Sequence, residues 1–508
     1  MIGELFATEQ MKMQMLYRLT AVLTAVGDDA IAVGKSFRCS DLRNCLKDRG
    51  NVLAVCGIDA VGRSDVLLGH DQHVYGSHWI DIAEGVNALV FIYLGGGDLS
   101  CYDLTKNTVS HGEYSFLFWF CEFSIHQKRE VVNAFGRFLM RQMNTDLWSY
   151  LAATDKTVVL YGMGNGADKI ITICNSKGIA VADVFASDGF VRGQIFHGRR
   201  VLSWSETKEK YGIENLIVLL SFGSSRPEVL ELVKQVASEV ELYAPDVPAF
   251  GDGVIDGAFL KAHQKEISAA RELLSDEESR RIYDLVWEYK RTGNIQCLLE
   301  AENDPNEVMQ TLIRPQTLRA SVDLGAYTGD TVRELLEAAN GAIHTVYALE
   351  PDARNYKKLA LYAEGETRAR VVPYPLGAWS ERETLCFDGS GNRNASMEVN
   401  RSQSLDGRGF KRITVEGEAI DNLLFDADVD YIKYDVEGSE REALIGSKLT
   451  VERCHPTLLV SLYHRNEDLF ALPLLIHQLF PDYQGYYLRR FRGIPAWDLN
   501  LYLTKDLI

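Results

Sequence analysis

Two segments in the C-terminal part of the chain combine acidic side chains with glycine in a pattern that could bind a ligand. The first is Asp323-Leu-Gly-Ala-Tyr-Thr-Gly-Asp-Thr331, which reads as a buried strand, a glycine turn and a helix. The second is Asp430-Tyr-Ile-Lys-Tyr-Asp-Val-Glu-Gly438, a strand that ends in a cluster of charge. In an open α/β sheet, ligands bind in the crevice at the carboxyl ends of the strands. We therefore expect a nucleotide-like cofactor to lie there beside a reactive site.

A further carboxylate follows the next strand of this region. Thr345–Leu349 reads as a strand, and Glu350-Pro-Asp352 follows it directly. A carboxylate at the end of the second strand can accept hydrogen bonds from both vicinal hydroxyls of a ribose. The turn after Asp323 lacks the Gly-Lys-Ser/Thr ending of a P-loop, which argues against a triphosphate.

The pattern Asp-x-Gly-x-x-x-Gly, followed by a strand and Glu-Pro, resembles the S-adenosylmethionine site of Rossmann-like methyltransferases. This resemblance implies that Asp323 orients the methionine end of the cofactor and that Glu350 holds its ribose. A third strand, Ala369–Tyr374, leads into Pro375–Ala378, which would border the adenine. The cofactor-binding residues expected on this basis are Asp323, Gly325, Ala326, Tyr327, Gly329, Thr331, Glu350, Pro351, Asp352 and Gly377.

The second segment resembles the strand-four motif of the FkbM-type methyltransferases, Asp-x-x-Lys-x-Asp-x-Glu-Gly-x-Glu. The matching residues are Lys433, Asp435, Glu437, Gly438 and Glu440. Pro456–His464 is similar to the strand that follows in this family, and the tail from Tyr487 to Tyr502 is similar to its closing hairpin. The resemblance covers residues 316–508 and implies O-methylation of a hydroxyl on a sugar, glycan or natural product.

Transfer of a methyl group to a hydroxyl is helped by a base, because an alcohol is almost wholly protonated at neutral pH. The candidate catalytic residues are Asp435, Glu437 and His464, with Lys433 keeping the carboxylates ionised. If the strand continues, Lys433, Asp435 and Glu437 share one face. The alternative is a structural ion-pair cluster, and His464 could equally be a structural histidine at a strand end. Asp435 and Glu437 could also bind a metal, but no histidine pair at a suitable spacing supports this alternative, so no metal site is assigned.

Three arginines near the C-terminus form a local basic cluster. Arg489, Arg490 and Arg492 could bind a phosphate or carboxylate of the acceptor, because guanidinium groups bind such groups bidentately. A solvated surface hairpin is the alternative interpretation.

Residues 156–245 contain a second strand, glycine turn and helix. Thr157–Tyr161 is followed by Gly162-Met-Gly-Asn-Gly-Ala167, and the strand Val181–Ala186 ends at Asp188, where an acid could hold a ribose. The spacing departs from Gly-x-Gly-x-x-Gly. NAD or another nucleotide could bind here, or the glycines could serve strand-to-helix packing alone. The region also resembles an accessory domain found ahead of some FkbM domains.

Length and composition exclude several classes of protein. A chain of 508 residues is too long for one core, and its net charge of −18 argues against nucleic acid as a partner. The nine cysteines are scattered, which favours free thiols in a reducing compartment, and Glu4 and Glu9 replace the basic residues of a secretory signal. The apolar runs are too short to span a bilayer. We expect a cytoplasmic protein, and a homo-oligomer is compatible with the sequence.

The predicted architecture is α/β and multidomain. An N-terminal α+β module of unknown role (1–150) has strand-like runs at Val52–Gly57, Val86–Leu94 and Tyr114–Phe123, with helical patterns at 9–23 and 129–143. A Rossmann-like βαβ accessory domain (151–250), a helical connector (251–315) and a Rossmann-like class I methyltransferase domain (316–508) follow. Two helices are expected in the connector, the second capped by Ser275. The predicted function is an S-adenosylmethionine-dependent O-methyltransferase that acts on a small-molecule or glycan acceptor. The alternative is an oxidoreductase or sensor that binds NAD or a nucleotide sugar through residues 156–245.

Overall fold

The N-terminal part of the chain contributes a mixed five-stranded sheet. The computed structural model describes residues 146–248, 253–388 and 412–508, together with Met397–Glu398 and five strands between 51 and 121. The order of the first sheet is β2-β1-β3-β5-β4, and the three predicted strands are confirmed. The predicted helices at 9–23 and 129–143 lie outside the described residues. The strands are β1 (Asn51–Ile58), β2 (Ser64–Asp65), β3 (Asn87–Leu94), β4 (Thr108–His111) and β5 (Tyr114–Cys121).

The middle sheet is parallel throughout, with short apolar strands that are buried on both faces. Its order is β10-β7-β6-β11-β12, a doubly wound arrangement that includes the βαβ half-sheet predicted for this region. The strands are β6 (Thr157–Tyr161), β7 (Val181–Ala186), β8 (Ile195–Phe196), β9 (Arg199–Arg200), β10 (Leu202–Ser203), β11 (Leu216–Leu220) and β12 (Glu241–Tyr243), with β8 and β9 forming a separate hairpin. The helices are Leu147–Ala153, Asn165–Ser176, Trp204–Tyr211 and Pro227–Glu239.

The connector is helical, as predicted, but between residues 253 and 315 it contains five α-helices where two were expected, and its central helix begins differently from the prediction. The helices are Gly257–Ala262, Gln264–Leu273, Glu277–Thr292, Ile295–Glu300 and Pro305–Val308. The side chain of Asp276, and not that of Ser275, caps the helix 277–292 by accepting a hydrogen bond from the Ser279 amide. Ser275 is used elsewhere: its hydroxyl accepts from the Tyr486 amide and donates to the Gln484 carbonyl. A long-range contact to the C-terminal hairpin therefore overrides the local capping preference.

The C-terminal sheet has the order β15-β14-β13-β20-β21-β23-β22, in which β23 runs in the opposite direction to the other six strands. The predicted α/β fold class is confirmed. A small second sheet has the order β16-β19-β17-β18. The strands are β13 (Ala320–Leu324), β14 (Thr345–Leu349), β15 (Arg370–Tyr374), β16 (Gly377–Ala378), β17 (Glu383–Asp388), β18 (Met397–Glu398), β19 (Arg412–Glu418), β20 (Tyr431–Tyr434), β21 (Thr457–Ser461), β22 (Gly485–Arg490) and β23 (Leu499–Thr504). The helices are Asp330–Ala339, Ala353–Gly365, Ile420–Leu423, Glu440–Ile445, Lys448–Cys454 and Asp468–Leu479.

One buried apolar cluster extends from the middle sheet through the connector into the C-terminal sheet. Val218, Trp287 and Leu501 belong to it, one from each of these regions. The backbones of Ser224 and Ile494 also pair, which joins the end of β11 to the loop 491–498 between β22 and β23. The division of the chain at 150, 250 and 315 stays a prediction. No helix in the described part of the chain is both long enough and apolar enough to cross a membrane.

The two acidic segments approach each other closely at Gly325, where the packing allows no side chain. A Cβ at this position would lie 1.9 Å from the Asp435 carbonyl oxygen, and φ is +88°. Gly341 has a similar φ of +85°, but no atom lies within 4 Å of the position that a Cβ would take there.

We expect Gly325→Ala to destabilise the protein far more than Gly341→Ala. Both changes introduce left-handed strain of about 1–2 kcal/mol, and Gly325→Ala adds a backbone clash that costs about 1–3 kcal/mol or more. Chemical unfolding of the two variants and the wild type measures the difference. Equal losses of unfolding free energy would show that the turn relaxes away from Asp435.

Candidate active site

Asp323 lies near the carboxyl end of β13, just before the glycine turn, and therefore at the carboxyl edge of the sheet. Asp323 pairs in register with Lys433 of β20, and its buried carboxylate accepts a hydrogen bond of 2.5 Å from the Thr331 hydroxyl. The amides of Gly325 and Ala326 both donate to the Leu349 carbonyl, at 3.1 and 2.9 Å. The turn therefore folds over the end of β14 and connects the first two strands of the site.

Glu350 holds the turn from the opposite side. Its buried carboxylate accepts hydrogen bonds from the Tyr327 amide at 2.9 Å and from the Asp352 amide at 2.8 Å. Burial raises the pKa of Glu350 to about 7, although these two backbone bonds oppose the rise. A carboxylate has about four lone-pair sites, so two backbone bonds leave capacity for two ligand hydroxyls.

Two other residues of the expected cofactor set have defined structural positions. Asp352 caps the helix 353–365, with its carboxylate accepting from the amides of Arg354 and Asn355. Gly377 lies in β16 and pairs with Gly417 of the small sheet. Direct hydrogen bonds thus join Asp323 to Thr331 and Glu350 to both Tyr327 and Asp352, whereas Gly377 is placed by the small sheet.

Lys433 lies buried between two carboxylates. Its ammonium group is 3.2 Å from Asp323 Oδ1 and 3.3 Å from Asp435 Oδ2. Burial would lower the pKa of Lys433, but the two aspartates outweigh it and raise the pKa above its ordinary value. Burial would likewise raise the pKa of Asp435, but Lys433 first, then His464 and the Tyr463 hydroxyl, lower it to about 2. Both groups are therefore charged at neutral pH.

Glu437 reaches the same site by a turn and not by strand alternation. The strand β20 ends at Tyr434, and Glu437 adopts a left-handed conformation with φ of +55°. Its side chain remains 42% exposed, and its Oε2 is 3.5 Å from His464 Nε2. Burial, followed by the charges of Asp435 and Glu440 and against His464, raises the pKa of Glu437 to about 7.

His464 is enclosed by acidic groups. It is 1% exposed; Nδ1 lies 2.8 Å from Glu440 Oε1, and Nε2 lies 3.7 Å from Asp435 Oδ1. Burial would lower the pKa of His464, but Glu440, and then Asp435 and Glu437, raise it to about 10. All four predicted catalytic residues therefore converge, and His464 is a cation at neutral pH.

Three site residues were not assigned a role from the sequence. The Tyr463 hydroxyl donates to Asp435 at 2.9 Å, Glu440 contacts His464, and Asp468 is buried beside them. Burial, followed by Glu440, raises the pKa of Asp468 to about 8. Glu440 belongs to the strand-four motif and Tyr463 to the segment Pro456–His464, so their positions in these motifs could have identified them. Asp468 begins a helix outside both motifs, and no sequence signal pointed to it.

The glycine turn of the middle sheet is filled by protein atoms. A Cβ at Gly162 would lie 2.4 Å from the Phe222 ring, and one at Gly166 would lie 2.3 Å from the Ser221 carbonyl oxygen. Asp188 is exposed and accepts hydrogen bonds from the amide and hydroxyl of Ser205. Two of the three glycines thus serve close packing, which is the simpler of the two interpretations of this turn.

The C-terminal arginines bind other parts of the chain. Arg489 pairs with Asp276 at 2.6 Å, and Arg492 lies 3.8 Å from Glu302. Arg490 is 0% exposed and donates to the carbonyls of Leu298 and Gly493. Burial lowers the pKa of Arg490 to about 10. The prediction of a solvated surface hairpin is therefore wrong for Arg490, because this side chain joins the hairpin to the connector.

Comparison with known proteins supports the resemblance inferred from the motifs. Residues 323–488 match the family model described as the methyltransferase FkbM domain, which confirms the recognition of this region. No curated protein sequence matches the chain.

Solved structures of methyltransferases overlap with the chain to different extents. The chain shares its fold with a methyltransferase FkbM from Methylobacillus flagellatus KT, with 19% identity and a TM-score of 0.52 over 72% of this chain and 92% of the other. An rRNA methylase from Streptococcus thermophilus overlaps with 41% of this chain and 98% of its own, at 12% identity and a TM-score of 0.26. A putative methyltransferase from Streptococcus mutans, in complex with SAH, overlaps with 40% and 98%, at 12% identity and a TM-score of 0.25. The first likeness extends beyond residues 323–488.

Replacement of Lys433 by Met tests whether this buried cation holds the site together. Removing one partner of a buried ion pair costs about 3–5 kcal/mol, because the remaining charges are left uncompensated. Wild-type Asp435, with a lowered pKa, contributes stability that is present above about pH 4 and lost as the pH falls through about 2. In Lys433→Met this contribution disappears, so we expect the deficit in unfolding free energy to be large at pH 7 and to shrink on acidification.

Lys448→Met is the matched control. Lys448 is 48% exposed, and its ammonium group lies 3.7 Å from Glu452 on the same helix. Such surface pairs contribute about 0–1 kcal/mol, so this variant should unfold like the wild type at each pH. A Lys433→Met protein as stable as this control would contradict the role given to the buried cation.

Proposed function

We propose that the C-terminal region is an S-adenosylmethionine-dependent O-methyltransferase that acts on a hydroxyl of a saccharide, glycan or other small natural-product acceptor in the cytoplasm. The main support for the proposal is that two sets of polar residues, one suited to the cofactor and one to the reaction, lie together at one edge of the sheet. Asp323, the glycine turn and Glu350 form one set, and Asp435, Glu437 and His464 form the other, with Lys433 between them. The match of residues 323–488 to a methyltransferase domain supports the assignment.

The residues on the cofactor side suit the chemical groups of S-adenosylmethionine. Glu350 retains lone-pair capacity for ribose hydroxyls, and the left-handed turn from Gly325 to Gly329 would lie beside the methionine end. Pro351 and Asp352 follow the end of β14, and Gly377 follows the end of β15, so in this proposal they would flank the nucleoside. When bound, this cofactor supplies a methyl group on a positively charged sulfur.

The pKa values divide the ionisable groups on the reaction side into two classes. Asp435, with a pKa of about 2, is a weak base at neutral pH, and His464, with a pKa of about 10, is already protonated. Glu437, with a pKa of about 7 and a partly exposed carboxylate, best meets the requirement that a general base titrate near the working pH. In the proposed reaction Glu437 takes the hydroxyl proton, while Asp435 and Tyr463 orient the acceptor.

The charge of the reaction side favours a neutral acceptor. Asp435 and Glu437 lie near His464 Nε2, and Glu440 contacts Nδ1 of the same ring. The cations Lys433 and His464 are thus already paired with carboxylates and are not offered to a phosphate, whereas the hydroxyl groups of a sugar can donate hydrogen bonds to Asp435 and Glu437. Methyl transfer from labelled cofactor to a panel of neutral and phosphorylated saccharides tests the proposed class.

Isothermal titration calorimetry of two variants separates cofactor binding from catalysis. Glu350→Ala should weaken S-adenosylmethionine binding about 10- to 100-fold, because hydrogen bonds to a charged group contribute about 1.5–3 kcal/mol. Asp435→Ala should bind the cofactor nearly normally and lose methyl transfer. Glu364→Ala, on an exposed part of the helix 353–365, is the control. Equal losses of binding in both variants would contradict these roles, and NAD binding without S-adenosylmethionine binding would overturn the proposal.

The pH dependence of kcat/KM tests Glu437 as the base. Because the pKa of Glu437 is raised to about 7 and only the ionised carboxylate accepts a proton, activity should rise through about pH 7 and then level off. Glu437→Gln should lose the rise together with roughly 10²- to 10⁴-fold of the rate, which is the usual contribution of a general base. Wild-type activity that is already constant from pH 5 would exclude this assignment.

A further inference from the structure

A buried carboxylate of the second motif, Glu440, is not used by the chemistry described above. It is 1% exposed and lies at the start of the helix 440–445. Its Oε1 accepts hydrogen bonds from the Val436 amide at 3.0 Å and from the Gly438 amide at 3.4 Å. These two amides flank Glu437. The carboxylate of Glu440 therefore holds the turn on which Glu437 is carried.

The same oxygen atom of Glu440 also contacts His464. The distance to Nδ1 is 2.8 Å, and the other ring nitrogen, Nε2, is 3.5 Å from the Glu437 carboxylate. One buried oxygen atom thus contacts both the backbone around Glu437 and the cation in front of it. A non-glycine residue with positive φ costs of order 1–3 kcal/mol and persists only where its surroundings hold it.

We propose that Glu440 is a positioning residue, which fixes Glu437 both through the turn 436–438 and through His464. The inference rests on the proposed function, because it assigns a role relative to the base of that reaction. Arg465 completes the enclosure, since its Nε donates to the Gly438 carbonyl at 2.9 Å. The backbone around Glu437 is therefore held on both its amide and its carbonyl side.

The charges that face His464 come from three elements. Asp435, Glu437 and Glu440 follow β20, Tyr463 precedes the histidine, and Asp468 begins the next helix; Lys433 and Arg465 are the nearby cations. Glu440 is the charge that raises the pKa of His464 most. The attraction between protonated His464 and these carboxylates stabilises the fold fully below about pH 6.5. This contribution is lost as the pH rises through about 10.

Two substitutions separate the two actions of Glu440. Glu440→Gln keeps an oxygen for the backbone amides and removes the charge, so the His464 imidazole should titrate about 1–3 pH units lower in NMR spectra. The pH at which kcat/KM rises should shift away from about 7 together with the His464 titration. The value of kcat should fall roughly 10- to 100-fold, which is part of the rate enhancement that a positioned base supplies. Glu440→Asp keeps the charge but shortens the side chain, so His464 should titrate nearly as in the wild type while kcat falls.

The control is Glu442→Gln on the same helix, whose carboxylate lies 3.9 Å from Arg441. It should retain the wild-type pH profile, His464 titration and kcat. An unshifted His464 titration in Glu440→Gln, or full kcat in Glu440→Asp, would overturn the proposal. The NMR titration requires no methyl acceptor and therefore measures the contact between Glu440 and His464 independently of activity. A lack of methyltransferase activity would refute the proposed function and leave that measurement intact. If Glu440→Gln does not fold, Glu440→Asp alone decides the positioning role.

Discussion

The site depends on one buried cation, the ammonium group of Lys433. It joins Asp323 at the end of β13 to Asp435 just after β20, residues that are far apart in the chain but adjacent in the sheet. At an effective dielectric constant of 20, two unit charges 4 Å apart interact by about 4 kcal/mol. Without Lys433 its attraction to both carboxylates would be lost, and the repulsion between the two aspartates would oppose their approach. The cofactor side and the reaction side can therefore share one edge only because a cation lies between them.

The same cation distinguishes two neighbouring carboxylates. Asp435 is in contact with Lys433 and stays ionised. Glu437 lies in the following turn, where burial and the neighbouring negative charges raise its pKa. Groups whose environments push their pKa values apart are suited to different tasks in catalysis. Here the residue paired directly with Lys433 suits orientation, and Glu437, on which Lys433 acts more weakly, suits proton transfer. His464 opposes the rise of the Glu437 pKa, which keeps that pKa within the physiological range.

The strands and the convergence of the motifs were predictable from the sequence because apolar runs and glycine turns are local signals. Thr157–Tyr161, Val181–Ala186 and Thr345–Leu349 have the predicted bounds. Contacts between distant segments were not predictable. Ser275 binds the hairpin instead of capping its helix, and Arg490 is buried although charge usually indicates exposure. Glu437 joins the site through a left-handed turn that strand alternation does not describe.

The middle sheet is connected to the reaction site by a continuous series of contacts. The segment that follows β11 pairs with the loop 491–498 through Ser224 and Ile494, and Gly223 lies against the Trp497 ring. That loop leads into β23, where the Leu499 carbonyl accepts a hydrogen bond from the Leu462 amide, two residues before His464. The loop 491–498 is therefore held by Ser224 on one side and leads on the other side into Leu499, which binds Leu462. Through these contacts the middle region restrains the segment that carries Tyr463 and His464. The glycine turn of the middle sheet packs against Ser221 and Phe222, which follow β11 and lead to this contact, so close packing accounts for Gly162 and Gly166.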